Sequence, residues 1–401
     1  MNILLVVPFP IFESGGVATF VTRLQDSLNQ SRANRALLLV PGESDRVTAV
    51  ERSDTYELNL REMYVPAAPV KCFVAFCVYL PLSLFELWRL LKRERVDVVH
   101  LHFPVAGSLY FCVLQLVSRW KLVVTLHGSD VYALGNRTWL FRKLVGIVLS
   151  RADCIVAATA HLITSLKERY PRVNTPTRVV PNGIPLVERV GPSESDERVD
   201  MPDSYILAVG NLIPRKGHDV LVRAVAIAAD RGYRLNVVIL GAGDPSTLAA
   251  LARALDVSDR VFFGGRIAHD DVSSFYAKAK FFVHPAREEA QGLVLVEAMS
   301  SRKAVIATRV LGVPELVRDG VTGLLVEPGD AESLATALIA LETQTALRDA
   351  LAARAYAYVT REHTWERFMA RHIDTYKRVV GGATFAPART IAPATLPQDS
   401  K

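Results

Sequence analysis

Glu289 and Glu297 carry the first chemical signal in this 401-residue chain. They bracket seven residues in the run Glu-Ala-Gln-Gly-Leu-Val-Leu-Val-Glu. The apolar residues Phe281 to Val283 ahead of them predict a buried strand. From about Gly292 the pattern turns helical, with Leu293, Val296 and Met299 on one face, and Ala304 to Thr308 predicts the next strand. In such a β–loop–α–β unit the carboxylates fall at the carboxyl end of a strand, the edge at which open α/β sheets bind ligands. Backbone N–H groups around Gly292, Leu293 and Val294 would open the helix without intrahelical partners and could face an anion. Glu297, one turn inside, could reach the sugar hydroxyls of a nucleotide whose phosphates sit at that helix start. The competing reading is a capped helix with two surface glutamates.

Lys216 is the second signal. It stands in Gly210-Asn-Leu-Ile-Pro-Arg-Lys-Gly217, between a strand from Tyr205 to Val209 and a helix from about His218 to Arg231. A cation at a helix start opposes the helix dipole, so a phosphate partner explains it better than a surface role does. Arg215 is a second cation, although adjacent side chains usually point apart. Gly15-Gly16 is the third signal, after a strand at residues 2–7 and before a helix from Val17 to Leu28. Glycine lets N–H groups approach an anion with no Cβ in the way. The pair is not the G-x-G-x-x-G fingerprint of dinucleotide sites, which disfavours a nicotinamide oxidoreductase. His100 and His102 share a face of the strand Val96 to Leu101, but no further ligands mark a metal site there. Asp270-Asp271 are read as caps for a helix starting at Val272, not as metal ligands.

These residues need strands and helices to hold them, and both halves of the chain alternate the two. That alternation predicts parallel, doubly wound sheets, and the length suits two domains. Residues 1–187 form the first predicted domain, 188–203 a polar linker, and 204–361 the second; a helix at 362–380 is expected to pack back on the first domain. The tail 381–401 lacks periodicity and is expected to be disordered. Val70 to Leu91 is the most hydrophobic stretch, but Lys71, Pro81, Glu86 and Arg89 interrupt it, so it is not read as a membrane span. A helix packed on the first sheet is the favoured reading, and a membrane-surface helix the alternative.

Charge is uneven. Residues 1–190 hold 22 Lys and Arg against 15 Asp and Glu, whereas the remainder holds 25 against 26. A basic first half points to an anionic membrane surface or acceptor. With no basic recognition helix and no aromatic stacking platform, nucleic acid is not expected. Cys72, Cys77, Cys112 and Cys154 have no metal-type spacing and suit reduced thiols of a cytoplasmic protein. No secretory signal pattern is seen at the N-terminus.

Taken together, Glu289 to Glu297 resembles the E-x7-E motif of the retaining glycosyltransferases of family four. Gly15-Gly16, His127-Gly128, Asn182-Gly183, Lys216-Gly217 and Gly312 to Glu315 match further motifs of that family in order. The resemblance covers about residues 1–380. It implies the α/β GT-B fold, two Rossmann-like doubly wound parallel-sheet domains facing across a cleft. It implies a metal-independent transfer, with no cofactor, of a hexose-type sugar from a nucleotide-diphosphate sugar with retention of configuration. By resemblance, His127 and Glu289 meet the donor sugar, Glu297 the ribose, and Arg266 with Ile267 the base. Lys216, Gly15, Gly16, Gly292, Leu293 and Val294 take the phosphates. The family usually has an arginine at the position of Asn211; here either Asn211 bonds the phosphate more weakly or Arg215 partly substitutes. Asp130 either meets the acceptor or caps its own turn. The expected acceptor is a glycan or lipid-linked glycan in bacterial surface polysaccharide assembly, at the inner face of the cell membrane. The rivals are a sugar-nucleotide epimerase of the same fold and a non-catalytic nucleotide-sugar-binding protein.

Overall fold

The computed structural model describes residues 1–9, 16–31, 33–50, 54–61, 69–132, 138–185, 201–268, 271–383 and 385, and the statements below concern these. The chain divides into two units, Met1–Val180 with the segment from Met369 onward, and Pro181–Phe368. Both division points differ from the expected boundaries at 187 and 361. The expected helix at 362–380 starts later, at Trp365, and its first residues belong to the second unit. Most of the expected linker and tail lies outside the described residues.

Unit 1 is built on strands β1 (Asn2–Val6), β2 (Arg35–Pro41), β3 (Thr48–Ala49), β4 (Thr55–Leu58), β5 (Val98–His102), β6 (Lys121–Leu126), β7 (Cys154–Ala157) and β8 (Thr177–Val179). They form one sheet in the order β3-β4-β2-β1-β5-β6-β7-β8, parallel except for the short edge strand β3. Its helices are α1 (Gly16–Asn29), α2 (Pro69–Arg93), α3 (Leu109–Leu114), α4 (Ser129–Tyr132), α5 (Trp139–Arg151) and α6 (Ala160–Arg169). Leu4, Leu37, Val99, Leu122 and Ile155 bury one sheet face against α2, α3, α5 and α6. The strand order reverses between β1 and β5, which is where open α/β sheets leave a crevice.

Unit 2 has strands β9 (Ile206–Val209), β10 (Val237–Leu240), β11 (Val261–Gly265), β12 (Phe282–His284), β13 (Val305–Thr308) and β14 (Leu324–Val326). All are parallel, in the order β11-β10-β9-β12-β13-β14, so the reversal falls between β9 and β12. Helices α7 (His218–Asp230), α8 (Ser246–Ala254), α9 (Val272–Lys278), α10 (Leu293–Ser300), α11 (Val313–Leu316), α12 (Ala331–Thr343) and α13 (Thr345–Glu362) flank it, and α14 (Trp365–Val380) leads back to unit 1. Successive strand residues alternate between two cores. Ile206, Val237, Ile239 and Ile306 pack under α7 and α12, whereas Leu207, Val238, Leu240 and Val305 pack under α9 and α10. This period of two, with both faces apolar, is why these strands read as continuous hydrophobic runs. Leu295, Val296 and Met299 of α10 are fully buried, each contributing about 1.5–3 kcal/mol of hydrophobic stabilisation.

Helix α2 runs 25 residues and continues through Pro81. Proline removes one backbone donor, and Pro81 lies on the exposed face, where water can serve the freed carbonyl. By length and composition α2 is the one described helix apolar and long enough to cross a membrane. Its inner residues Ser83, Leu87, Leu90 and Leu91 are nonetheless buried in the unit 1 core, while Val70, Phe73, Val74, Val78, Phe85 and Trp88 are exposed. One sequence expectation needs correction: Asp271 occupies the N-cap position of α9, but its side chain makes no capping bond. Asp270 lies outside the described residues.

Candidate functional site

The loops that follow β9 and β12 meet at the reversal point of unit 2. After β9 a 3-10 turn, Pro214–Lys216, ends at Gly217, whose φ is 69°. A Cβ there would lie 2.0 Å from the carbonyl oxygen of Pro285, so only glycine admits the β12 loop. Arg287 ties the loops from outside, with Nη1 and Nη2 each 2.7 Å from the Asp219 carboxylate and Nη1 also 2.7 Å from the Pro214 carbonyl. His218 donates from Nε2 to the Gly210 carbonyl at 3.1 Å; burial pushes its pKa down to about 4, so it does this as a neutral ring.

This bracing brings Lys216 and Glu289 together although 73 positions separate them. Lys216 Nζ lies 2.7 Å from Glu289 Oε2, and His284 Nε2, at the end of β12, donates to the same oxygen at 3.1 Å. The other oxygen accepts the Ala290 N–H at 3.1 Å. Burial pushes the Glu289 carboxyl up, but the His284 hydrogen bond and the Lys216 ammonium outweigh it and hold the group well below the usual carboxylate range. Burial depresses His284, so the pair Lys216–Glu289 carries the charges.

Helix α10 starts beside this cluster. Gly292 is its N-cap, with φ 83°, and the helix leaves the N–H groups of Leu293 and Val294 outside its ladder. Glu297 lies half-buried on its second turn and accepts the Tyr276 hydroxyl at 3.0 Å. Burial, then the Glu297 charge, raises the Tyr276 pKa, so the phenol stays a donor. Gln291, also in the motif loop, accepts the Asn182 N–H at 3.0 Å, and His363 Nδ1 stands 3.2 Å from the Asn182 carbonyl. The Pro181-Asn182-Gly183 turn is thus bound to the loop between the two glutamates. Arg215 and Asn211 are exposed on the β9 loop, and Arg266 and Ile267 follow β11 at the same edge of the sheet.

In unit 1, His127 follows β6 with its ring stacked on Phe103, centroids 4.5 Å apart. Its Nε2 lies 3.1 Å from Nδ1 of His102. Burial pushes its pKa down to about 3, so it is neutral at physiological pH. Asp130 accepts the N–H groups of His127, at 3.1 Å, and Gly128, at 2.8 Å: it caps its own turn, and burial raises its pKa to about 6. His100 is spent on Thr125 and Tyr376, at 2.6 and 2.8 Å, the latter from α14. Gly16 opens α1; Gly15 lies outside the described residues.

Sequence reasoning missed His284, Tyr276 and Gln291. His284 had a signal, a histidine ending the strand before the glutamate loop. Gln291 sits inside the motif but looks like any polar loop residue. Tyr276 had none, because its contact with Glu297 crosses between two helices.

Comparison with known proteins agrees with this architecture. Residues 14–188 match the profile of glycosyltransferase family 4, and residues 193–358 that of glycosyl transferases group 1. The D-inositol 3-phosphate glycosyltransferase of Actinosynnema mirum is 32% identical over 295 residues, covering 68% of this chain and 70% of that protein. The N-acetyl-alpha-D-glucosaminyl L-malate synthase of Bacillus anthracis is 28% identical over 297 residues, covering 70% and 73%. Among solved structures, Anabaena HepE in complex with UDP superposes with a TM-score of 0.76 at 18% identity, covering 94% of this chain and 100% of that one, a likeness of fold. The chain belongs to glycosyltransferase family 4 and is a transferase enzyme of the GT-B fold.

Proposed function

We propose that this enzyme moves a hexose-type sugar, with retention and without a metal ion, from a nucleotide-diphosphate sugar to a lipid-linked acceptor. In such a transfer the anomeric carbon exchanges its bond to the diphosphate for one to an acceptor hydroxyl oxygen, whose proton passes to the departing diphosphate. The leaving diphosphate gains negative charge, and fixed cations and N–H dipoles stabilise it. Lys216 and the N–H groups opening α10 are the groups of unit 2 suited to that charge, with Asn211 and Arg215 at the rim. Glu297, which accepts from Tyr276, is offered to the ribose hydroxyls, Glu289 to the sugar hydroxyls, and Arg266 and Ile267 to the base. His127, a neutral imidazole, is the unit 1 group proposed for catalysis. The observation that carries this reading is the meeting of Lys216, Glu289 and the α10 start where the unit 2 strand order reverses.

The setting we propose is the cytoplasmic face of a bacterial membrane, in surface polysaccharide assembly. The exposed face of α2 supports it: every exposed charge on that helix, Lys71, Arg89, Lys92 and Arg93, is basic, among exposed Phe73, Val78, Phe85 and Trp88.

The donor site is tested by thermal shift with UDP, GDP and ADP against wild type and Lys216→Ala. At about 100 times its dissociation constant a ligand stabilises by about 2.7 kcal/mol. One nucleotide is expected to raise the wild-type melting temperature by several degrees and to lose most of that effect in Lys216→Ala. An equal shift in both proteins, or none in the wild type, removes the assignment.

A further inference from the structure

Unit 1 holds a cavity of about 230 Å³ at its own reversal point, against the ends of β1, β2, β4 and β5. Leu39, Leu58, Leu60, Val105 and Phe111 make its apolar wall, and among the described residues no Lys, Arg, Asp or Glu lines it. An anion entering would lose its hydration with no countercharge to replace it. Two features mark the cavity as more than a packing defect. Phe103, on its wall, has φ 59°, a strained conformation for an aromatic residue, of the kind that collects at ligand sites. His102, also on the wall, is 1% exposed, and its Nε2 has no partner among the described residues.

That nitrogen has a defined chemistry. His102 Nδ1 is engaged with Nε2 of His127 at 3.1 Å. Burial holds the His102 ring neutral. A neutral imidazole donates from one nitrogen and accepts at the other. If Nδ1 accepts from His127, Nε2 carries the proton; if Nδ1 donates, Nε2 accepts. A hydroxyl group, both donor and acceptor, satisfies either arrangement, whereas a carboxylate or a fully ionised phosphate oxygen satisfies only one.

We infer that this cavity binds an uncharged, predominantly apolar group bearing a hydroxyl, and that the group is part of the acceptor. The inference rests on the transferase reading above and narrows its acceptor class. It separates this chain from the acceptors that the names of its relatives carry, an inositol phosphate and malate, both anionic.

The test uses the full chain with octyl β-glucoside and phenyl β-glucoside, below any micelle concentration, against inositol 3-phosphate and malate. Binding is read by titration calorimetry without nucleotide, and transfer by mass spectrometry with the donor that the nucleotide panel selects. Gly107 lines the cavity, and a Cβ there would meet nothing nearer than 4.0 Å, so larger side chains can enter the void. Both glucosides are expected to bind and to be glycosylated with kcat/KM at least tenfold above either anion. Gly107→Leu is expected to weaken glucoside binding at least tenfold, and Gly107→Ala less than threefold, a graded series that separates occlusion from misfolding. Preference for either anion, glucoside binding untouched by Gly107→Leu, or no glucoside binding to wild type overturns the inference. Glucoside binding that follows the graded series while no nucleotide shifts the protein upholds the pocket and sinks the transferase assignment of the donor site instead.

Discussion

Glu289 shows how one side chain can serve two states. With no phosphate at hand it is the counterion of Lys216, and under the proposed donor site a diphosphate would compete for that ammonium. Glu289→Gln keeps the size and one acceptor oxygen but removes the charge. The variant is expected to bind nucleoside diphosphate severalfold tighter, because Lys216 is released, while sugar transfer falls by about 100-fold or more. Equilibrium titration beside steady-state rates checks both, and weaker binding would show that the ion pair organises the site instead of competing with the ligand. The carboxyl also has a pH signature. Its folded pKa is depressed from 4.5, so its stabilising contribution is complete above that value and is lost as pH falls through the folded one. The stability gap between wild type and Glu289→Gln in urea melts should therefore hold from pH 7 to about 5 and narrow below about 4.5. At this scale the sequence revealed both glutamates and the lysine, but not that Lys216 and Glu289 bond to each other, because they are 73 positions apart.

Elements bring those residues together, and glycine sets how close they come. Gly217 lets the loop after β9 pass against the loop after β12, with φ 69° and no room for a methyl group. Gly217→Ala adds backbone strain and a clash with a rigid carbonyl, together costing about 2–3 kcal/mol. In a unit of this size that lowers the melting temperature by about 5–10 °C. Calorimetry would read it, and a loss under about 2 °C would mean that the loop can step aside. The sequence placed the Lys216-Gly217 turn between a strand and a helix. It could not show that the β12 backbone passes over it, because that contact depends on β9 and β12 being sheet neighbours. Helix α2 shows tertiary packing at work: it runs through Pro81, which removes one backbone donor, while Leu87, Leu90 and Leu91 are buried in the unit 1 core.

For the whole molecule the governing feature is an uneven surface. The basic excess lies in the first half of the chain, and α2 shows an exposed apolar stripe bordered only by cations. Other apolar side chains of unit 1 are exposed as well, Val113, Leu116 and Val117 at and just after the end of α3 and Trp139 and Ile147 on α5. Vesicles containing phosphatidylglycerol should therefore sediment the protein at about 50 mM salt and release much of it at about 500 mM, where the Debye length has shrunk several-fold. Phe73→Asp with Trp88→Asp should reduce the bound fraction severalfold at low salt without changing the nucleotide shift. Equal binding by the double variant, or to neutral vesicles, would count against a membrane role for this face.

The sequence by itself determined the alternation of strands and helices, the hydrophobic faces that make doubly wound sheets, and the residue types able to hold phosphate and sugar. Those follow from local periodicity and from the chemistry of single side chains. Tertiary structure alone decided the rest. Strand order put the β9 and β12 loops side by side, close packing made His284, Tyr276 and Gln291 partners of the motif residues, and burial left His102 Nε2 without a partner among the described residues, beside a cavity that no described charged side chain lines. Each of these depends on groups distant in sequence becoming neighbours in a low-dielectric interior, where a missing partner or a countercharge changes what a side chain can do.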